Sequence, residues 1–146
     1  MSGAQTDIHR WNPDNVWGIG GFPMHQGVAV VDGVTVHITG QVGWTADGTL
    51  VGPGDSGAQT HKAFDNIAAI LAPVGGTIAD LVSLTTFYVY PDDIPAIRQA
   101  RAERLSPETA PISTAIQCAG LVAPDLLVEL HGIAVIPHDR FHPPES

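Results

Sequence analysis

The strongest constraint on the fold is the alternation of side chains over residues 126–136. Every second residue from Leu126 to Ile136 is apolar or small, and the residues between them include Glu129 and His131. Because successive side chains of a strand point to opposite faces of a sheet, this pattern predicts a strand with one face buried under other elements. The opposite face places two ionisable groups among Leu, Ile and Val.

The periodicity elsewhere in the chain predicts the elements around this strand. Residues 27–31 and 34–40 are β-branched runs joined by Asp32-Gly33, which predicts a hairpin, and a third short strand is expected near 41–44. Helical spacing predicts a helix over 57–72 that starts at a capping box formed by Ser56 and Gln59. A buried strand is expected over 81–90, and two more over 113–119 and 126–136. A second helix is predicted from the stripe Ile94, Ile97, Arg101 and Leu105.

The order of these elements predicts the fold class. Three strands, a helix, a strand, a helix and two strands indicate an α+β fold with both helices on one face of a mixed sheet. The 146 residues suffice for one domain. We expect an irregular N-terminal arm over 1–24 that packs through Trp11 and Trp17, a single domain over 25–137 and a C-terminal tail over 138–146.

Composition excludes several classes of function. Fifteen acidic residues against six basic ones give a net charge of -9, which disfavours binding to a phosphate backbone. Charged residues make up only 14% of the chain, well below the ~25% typical of globular domains, which favours surface buried in an oligomer. No apolar run approaches the ~18 residues of a membrane span, and Cys118 has no partner for a disulfide. We therefore expect a cytoplasmic protein that binds neither nucleic acid nor membrane.

The polar face of the sheet is the first candidate for a site. Glu129 and His131 lie on the face without helices, and Ser113, Ala115 and Gln117 are interpreted as the matching alternate set of the preceding strand. A face that mixes such groups with Leu, Ile and Val suits sheets from several subunits packed together, with polar pockets at the seams.

Several short blocks of the chain match a known family in order and with nearly constant spacing. They are His37-Ile38-Thr39-Gly40-Gln41-Val42, Gln59-Thr60 with Asn66-Ile67, Gly75-Gly76, Thr85-Thr86-Phe87, Asp92-Asp93, Ala110-Pro111, Val128-Glu129-Leu130 and Ile133-Ala134-Val135. Through these blocks the chain resembles the Rid family, the reactive intermediate deaminases once labelled endoribonuclease L-PSP. The resemblance covers roughly residues 24–136 and implies a chorismate-mutase-like α+β fold, a homotrimer and ligand pockets between subunits. The older ribonuclease label is disfavoured by the acidic charge.

The same resemblance shows where the pocket departs from the family. Active members carry Pro-Ala-Arg-Ser, in which the Arg grips a substrate carboxylate, whereas this chain has Pro111-Ile112-Ser113-Thr114. His131 stands at the second Glu of the family's Glu-Ile-Glu-Ala-Ile-Ala ending, and Met24, before His25, stands at its N-terminal Tyr. Arg98 falls at a helix position that often bears Asn. Activity on simple imino acids is therefore expected to be weak.

These residues lead to a set of expected roles. His131 could act as general base or acid at neutral pH, with Glu129 on the same face orienting it or sharing its role. Either residue could instead be structural, and Ser113 is expected to line the pocket without acting as a nucleophile. The substrate-binding candidates are Ser113, Ala115, Gln117, Arg98, Met24, His25 and Gly40. The histidines lack metal-ligand spacing, so no metal and no other cofactor is expected.

The arginines also form a pattern. Three of the five, Arg98, Arg101 and Arg104, form a slanting row on the second predicted helix. Most of the row is expected to be a solvated face paired with acids such as Glu103 or Glu108, with Arg98 as the best candidate for holding an anionic substrate.

Three functions remain open from the sequence. The leading hypothesis is a homotrimeric, cofactor-free enzyme that processes a small imine, enamine or related metabolite with water and His131. The alternative is a non-catalytic trimer that binds a small ligand or a partner protein. A specialised hydrolase or cyclase of a catabolic or secondary-metabolic pathway is third.

Overall fold

The computed structural model describes residues 8–145. Within them, two α-helices and six strands follow one another, with short 3₁₀ turns at Ala72–Val74, Ile78–Asp80 and Pro91–Asp93. The elements are β1 (Ile8–Trp11), β2 (Gly27–Val30), β3 (Val34–His37), α1 (Ser56–Leu71), β4 (Leu81–Tyr88), α2 (Ile94–Arg104), β5 (Ile112–Gln117) and β6 (Val128–Ile136).

The main sheet has four strands in the order β3-β6-β4-β5. Strand β6 runs antiparallel to both of its neighbours, whereas β4 and β5 are parallel and are connected through α2. The helices cover one face, where Phe64 and Ile67 of α1 and Ile97 of α2 join Leu84 and Leu130 of the sheet in the core. The predicted α+β class, with two helices on one face of a mixed sheet, is confirmed.

The N-terminal elements differ from the prediction. Strand β2 pairs with β1, not with β3, so Asp32-Gly33 connects two different sheets and the predicted hairpin was wrong. The arm was expected to be irregular, but residues 8–11 form a strand whose Trp11 ring lies against Gly27, where a Cβ would overlap it. Trp17 is 67% exposed and does not anchor the arm. The predicted third strand is reduced to single bridges at Gln41 and Trp44.

Helix α1 begins as predicted but through a different contact. Asp55 is the N-cap, and its carboxylate accepts the Ala58 backbone N–H at 3.0 Å, so Ser56 and Gln59 form no capping box. Gln59 is fully buried, and its side chain forms hydrogen bonds with the backbone of two loops. Nε2 donates to the carbonyls of Gly52 and Asp125, and Oε1 accepts a hydrogen bond from the Leu127 N–H at 2.9 Å. The side chain therefore ties the loop before β6 to the start of α1.

The register of β5 corrects the assignment of faces. Ser113, Ala115 and Gln117 pair with Leu84, Thr86 and Tyr88, and Leu84 and Thr86 in turn pair with Gly132 and Leu130. Ser113, Ala115 and Gln117 therefore lie on the helix-covered face, and their assignment to the face of Glu129 and His131 was wrong. Parity fixes the two faces of one strand, but only the register between strands decides which face of β5 joins which face of β6.

No helix among residues 8–145 is long and apolar enough to cross a membrane.

Candidate functional site

A broad cavity of about 610 Å³ lies beside Glu129, and we call it the Glu129 groove. Its walls are the segment that follows β3, one side of α1, the 120s loop and β6. Asn66 of α1 holds the segment in place, since its Nδ2 donates to the carbonyls of Val42 and Trp44, both at 3.0 Å. The lining residues are Gly40, Gln41, Val42, Trp44, Thr45, Ala46, Lys62, Asn66, Ala69, Ile70, Val122 and Glu129.

The carboxylate of Glu129 lies directly against the backbone of Gly40. A Cβ built on Gly40 would overlap Oε2 of Glu129 and lie 2.9 Å from its Cδ, so a side chain at this position would displace the carboxylate from its present place. Lys62 is the only cation in the groove wall, and no ion pair involving Glu129 forms within the described part of the chain. The groove thus presents a carboxylate that can accept a proton.

A second, smaller cavity of about 210 Å³ lies between α2 and the helix-covered face of β4 and β5. We call it the arginine pocket. It is lined by Thr86, Tyr88, Ile94, Ile97, Arg98, Arg101 and Ala115.

Arg101 is the most unusual residue of this pocket. Only 4% of it is exposed, its Nη2 donates to Oγ of Ser113 at 2.7 Å, and its Nη1 lies 3.4 Å from Oγ1 of Thr86. Burial, together with the charge of Arg98, lowers the pKa of Arg101 to about 10. The Phe22 ring lies 4.1 Å from the guanidinium carbon of Arg98 and 5.0 Å from that of Arg101. The ring therefore stacks against both cations.

The predicted site residues fall into separate groups. Gly40 and Glu129 both line the groove, whereas Arg98 and Ala115 line the arginine pocket. Ser113 does not line that pocket but accepts a hydrogen bond from Arg101, which does. The remaining predicted residues line neither cavity.

His131 lies half-buried on the helix-free face opposite Thr85, two residues along β6 from Glu129. His25 fixes the arm to the start of β5, because its backbone N–H donates to the Pro111 carbonyl and its Nδ1 lies 2.7 Å from the Ala110 carbonyl oxygen. Met24 is the half-buried neighbour of His25, and Gln117 is exposed at the end of β5, where it donates to the Val89 carbonyl.

The arginine row is not a solvated face paired as predicted. Arg104 binds Asp65 at 2.8 Å and the His61 carbonyl, whereas Glu103 contacts the His61 ring and Glu108 contacts Ser106. Arg101 was the functional candidate that sequence reasoning missed. The signal was present, because Arg101 occupies an otherwise apolar helical stripe with Ile94, Ile97 and Leu105, where a charged side chain needs a reason to be buried.

Within residues 8–145, no group of three or more His, Cys, Asp or Glu side chains is placed to hold a metal ion. The charged groups that line the two cavities are the Glu129 carboxylate, the Lys62 ammonium and the guanidinium groups of Arg98 and Arg101, beside the hydroxyls of Thr45, Thr86 and Tyr88.

Comparison with known proteins places the chain in a family. The family model described as Endoribonuclease L-PSP matches residues 23–136. A 3-aminoacrylate deaminase, RutC, from Acinetobacter baylyi is 34% identical over 99 residues, which are 68% of this chain and 77% of that relative.

Solved structures agree with the family match. A protein of unknown function of the Rid family, YyfB from Yersinia pestis, is 32% identical with a TM-score of 0.79, over 89% of this chain and 99% of that one. RidA from an Antarctic Psychrobacter is 28% identical with a TM-score of 0.65, over 93% of this chain and 100% of that one. The sequence model, the fold and these relatives together show that the chain belongs to the Rid family.

Proposed function

We propose that this protein is a deaminase that hydrolyses a small imine or enamine in the Glu129 groove. The observation that carries the proposal is the Glu129 carboxylate, which lies against the Gly40 backbone at the wall of a cavity of about 610 Å³. The relative named as a 3-aminoacrylate deaminase supports the reaction class.

The proposed reaction needs one group that takes up and returns a proton. Protonation of an enamine at carbon, or of an imine at nitrogen, gives the iminium ion. Water then adds to the iminium carbon, forming a C–O bond while one water proton passes to the Glu129 carboxylate. Glu129 returns this proton to the amino nitrogen, the C–N bond breaks as the hydroxyl oxygen forms the C=O bond, and ammonia leaves. The hydroxyl proton is released to solvent and balances the proton taken up in the first step. The sequence is redox-neutral and requires no further reactant.

Glu129 and His131 compete for the role of the proton-transfer group. The sequence favoured His131, but Glu129 lines the groove and His131 does not. We therefore assign the proton transfer to Glu129. His131 lies on the same face of β6, two residues away, and its own role is decided by the same experiment.

The test measures ammonia release from freshly generated 2-aminoacrylate and from 3-aminoacrylate. Glu129→Gln should lower kcat by about 10² to 10⁴, the usual contribution of a positioned general base. Glu145→Gln, which changes an exposed carboxylate in the C-terminal tail, is the matched control and should leave the rate unchanged. His131→Gln should cost less than Glu129→Gln.

Two outcomes would contradict the proposal. A Glu129→Gln variant that keeps its rate while His131→Gln loses it would transfer the role to His131. Absence of ammonia release from both substrates by the wild-type protein would instead favour the non-catalytic binding trimer.

We also propose that the chain assembles as a homotrimer through the helix-free face of the sheet. Ile112 and Ile116 of β5 are 37% and 42% exposed there, beside the half-buried Phe87 and Ile133. An exposed apolar patch of this kind is typical of a surface covered by another subunit. Light scattering should give three times the chain mass of 15.3 kDa, and Ile116→Lys should lower it, whereas a monomeric wild-type protein would contradict assembly.

A further inference from the structure

Arg101 is a buried cation without a matching anion. It is 4% exposed, and no carboxylate among residues 8–145 lies within 4.0 Å of its guanidinium group. Its Nε is buried and donates to no protein atom in the same part of the chain. A buried charge is costly unless a charge of opposite sign and hydrogen bonds compensate it, so this arrangement is unfavourable for the protein alone.

The groups around Arg101 orient the guanidinium but do not neutralise it. Ser113 and Thr86 accept hydrogen bonds through neutral hydroxyls, and Phe22 offers only the face of its ring. Arg98, which lines the same cavity, has the same sign and adds to the positive potential, as its effect in lowering the pKa of Arg101 shows. Five N–H groups are available on a guanidinium, and the two hydroxyl acceptors satisfy only some of them, leaving the buried Nε–H among those without a protein partner.

The cavity in front of this guanidinium limits what can neutralise it. Its volume of about 210 Å³ is below the range of pockets for drug-sized ligands, about 300 to 1,000 Å³. Apart from the two arginines and Thr86, the wall is formed by Ile94, Ile97, Ala115 and the ring of Tyr88. A fully hydrated, multiply charged anion would lose its water against such a wall, whereas a short carbon chain with one carboxylate suits it.

We propose that the arginine pocket is a binding site for a small organic carboxylate, with Arg101 as its charge partner. Guanidinium and carboxylate pair through two parallel hydrogen bonds, and Ser113 fixes the plane of the guanidinium for that contact. The short aliphatic chain of the ligand packs on Ile94 and Ile97. The site does not depend on the proposed deamination, because it is tested by binding alone.

The experiment follows the Nε–Hε resonance of Arg101 by NMR in the full-length protein, in chloride-poor buffer. Propionate and propionamide are the probes, since they share shape and differ in charge. Propionate should shift the Arg101 resonance saturably, with an affinity at least about ten times that of propionamide, as expected for a charge-assisted pair. Inorganic phosphate should bind more weakly than propionate.

Variants separate this site from the other cations. Arg101→Met should weaken propionate binding at least tenfold, whereas Arg104→Met, on the same helix but paired with Asp65, should leave it within about twofold. Ser113→Ala should weaken binding while the charge preference is kept. The Arg101 resonance in the wild-type protein reports binding even where Arg101→Met does not fold.

Three results would overturn the proposal: an Arg101 resonance that propionate leaves in place, equal shifts with propionamide, or wild-type affinity in folded Arg101→Met. Tighter binding of phosphate than of propionate would reject a carboxylate as the ligand. Loss of ammonia release with intact propionate binding would count against the proposed deamination only.

Discussion

Replacement of Gln59 by Leu tests the link between α1 and the start of β6. Gln59 is fully buried and forms three hydrogen bonds to backbone groups, at 3.1 Å to the Gly52 carbonyl, 3.3 Å to the Asp125 carbonyl and 2.9 Å from the Leu127 N–H. Leu has a similar volume, so the change removes the hydrogen bonds with little cavity formation. The backbone groups are then left without their partner.

The expected loss can be estimated from these contacts. Each net hydrogen bond contributes about 1 kcal/mol, and a buried group left without a partner costs about 1 to 3 kcal/mol. Because Leu burial recovers part of this, we expect Gln59→Leu to lower the free energy of unfolding by roughly 3 kcal/mol. That is a large share of the about 5 to 15 kcal/mol typical of a domain.

The assay is urea unfolding followed by circular dichroism, at one fixed protein concentration because assembly would otherwise shift the midpoint. Gln99→Leu is the matched control, since Gln99 is an exposed residue of α2 and should change stability by no more than about 0.5 kcal/mol. A loss below about 1 kcal/mol for Gln59→Leu would show that water or a shifted loop replaces these bonds, and the reasoning would fail.

Two further predictions concern charged groups. Asp80→Asn should lower the free energy of unfolding by roughly 1 to 2 kcal/mol, because Asp80 accepts hydrogen bonds from both terminal nitrogens of Arg140 at 2.8 and 2.6 Å. Urea unfolding measures the loss, and Asp14→Asn, at an exposed carboxylate with no ion pair among the described residues, is the control. Propionate binding should weaken as pH rises through about 10, the lowered pKa of Arg101, because the deprotonated guanidine no longer attracts a carboxylate. The protonated group destabilises the fold below that pH, since its pKa in the unfolded chain is higher, and this penalty fades as pH rises. Calorimetry that finds unchanged binding at about pH 11 would contradict the assignment.

The sequence predicted the centre of the fold because burial there follows strict periods. In β6, Val128, Leu130 and Ala134 are fully buried, and Glu129 and His131 between them are not, as the alternation requires. Both helices lie within one or two residues of their predicted bounds. Where one side of a helix or strand is buried and the other is not, apolar residues recur in the sequence with the period of that element.

Pairing between strands was less predictable because it depends on distant residues. Asp32-Gly33 is a strong hairpin signal, yet β2 pairs with Ile8–Trp11, a segment whose composition gives no strand period. For the same reason Ser113 was predicted to lie on the wrong face of the sheet, since no local sequence pattern indicates that it pairs with Leu84. Local propensity gives elements, and register is decided by tertiary contacts.

The positions of the two cavities bear on how they could work together. Glu129 pairs with Phe87 on the helix-free face, whereas Thr86, Ala115 and Arg101 belong to the helix-covered face, so the sheet separates the two groups within one chain. A single substrate that uses both would therefore have to contact two chains of the proposed trimer.

Mixed assemblies test this directly. If one substrate spans both groups, Glu129→Gln chains and Arg101→Met chains should each be nearly inactive alone. A refolded equal mixture of the two should recover about a quarter of the wild-type rate. The reason is that one site in four then joins an intact Glu129 to an intact Arg101 of a neighbouring chain. Mixing Glu129→Gln with a double variant that carries both changes gives no intact pair and serves as the control. A mixture no faster than the mean of its components would mean that the carboxylate bound at Arg101 is not the molecule on which Glu129 acts.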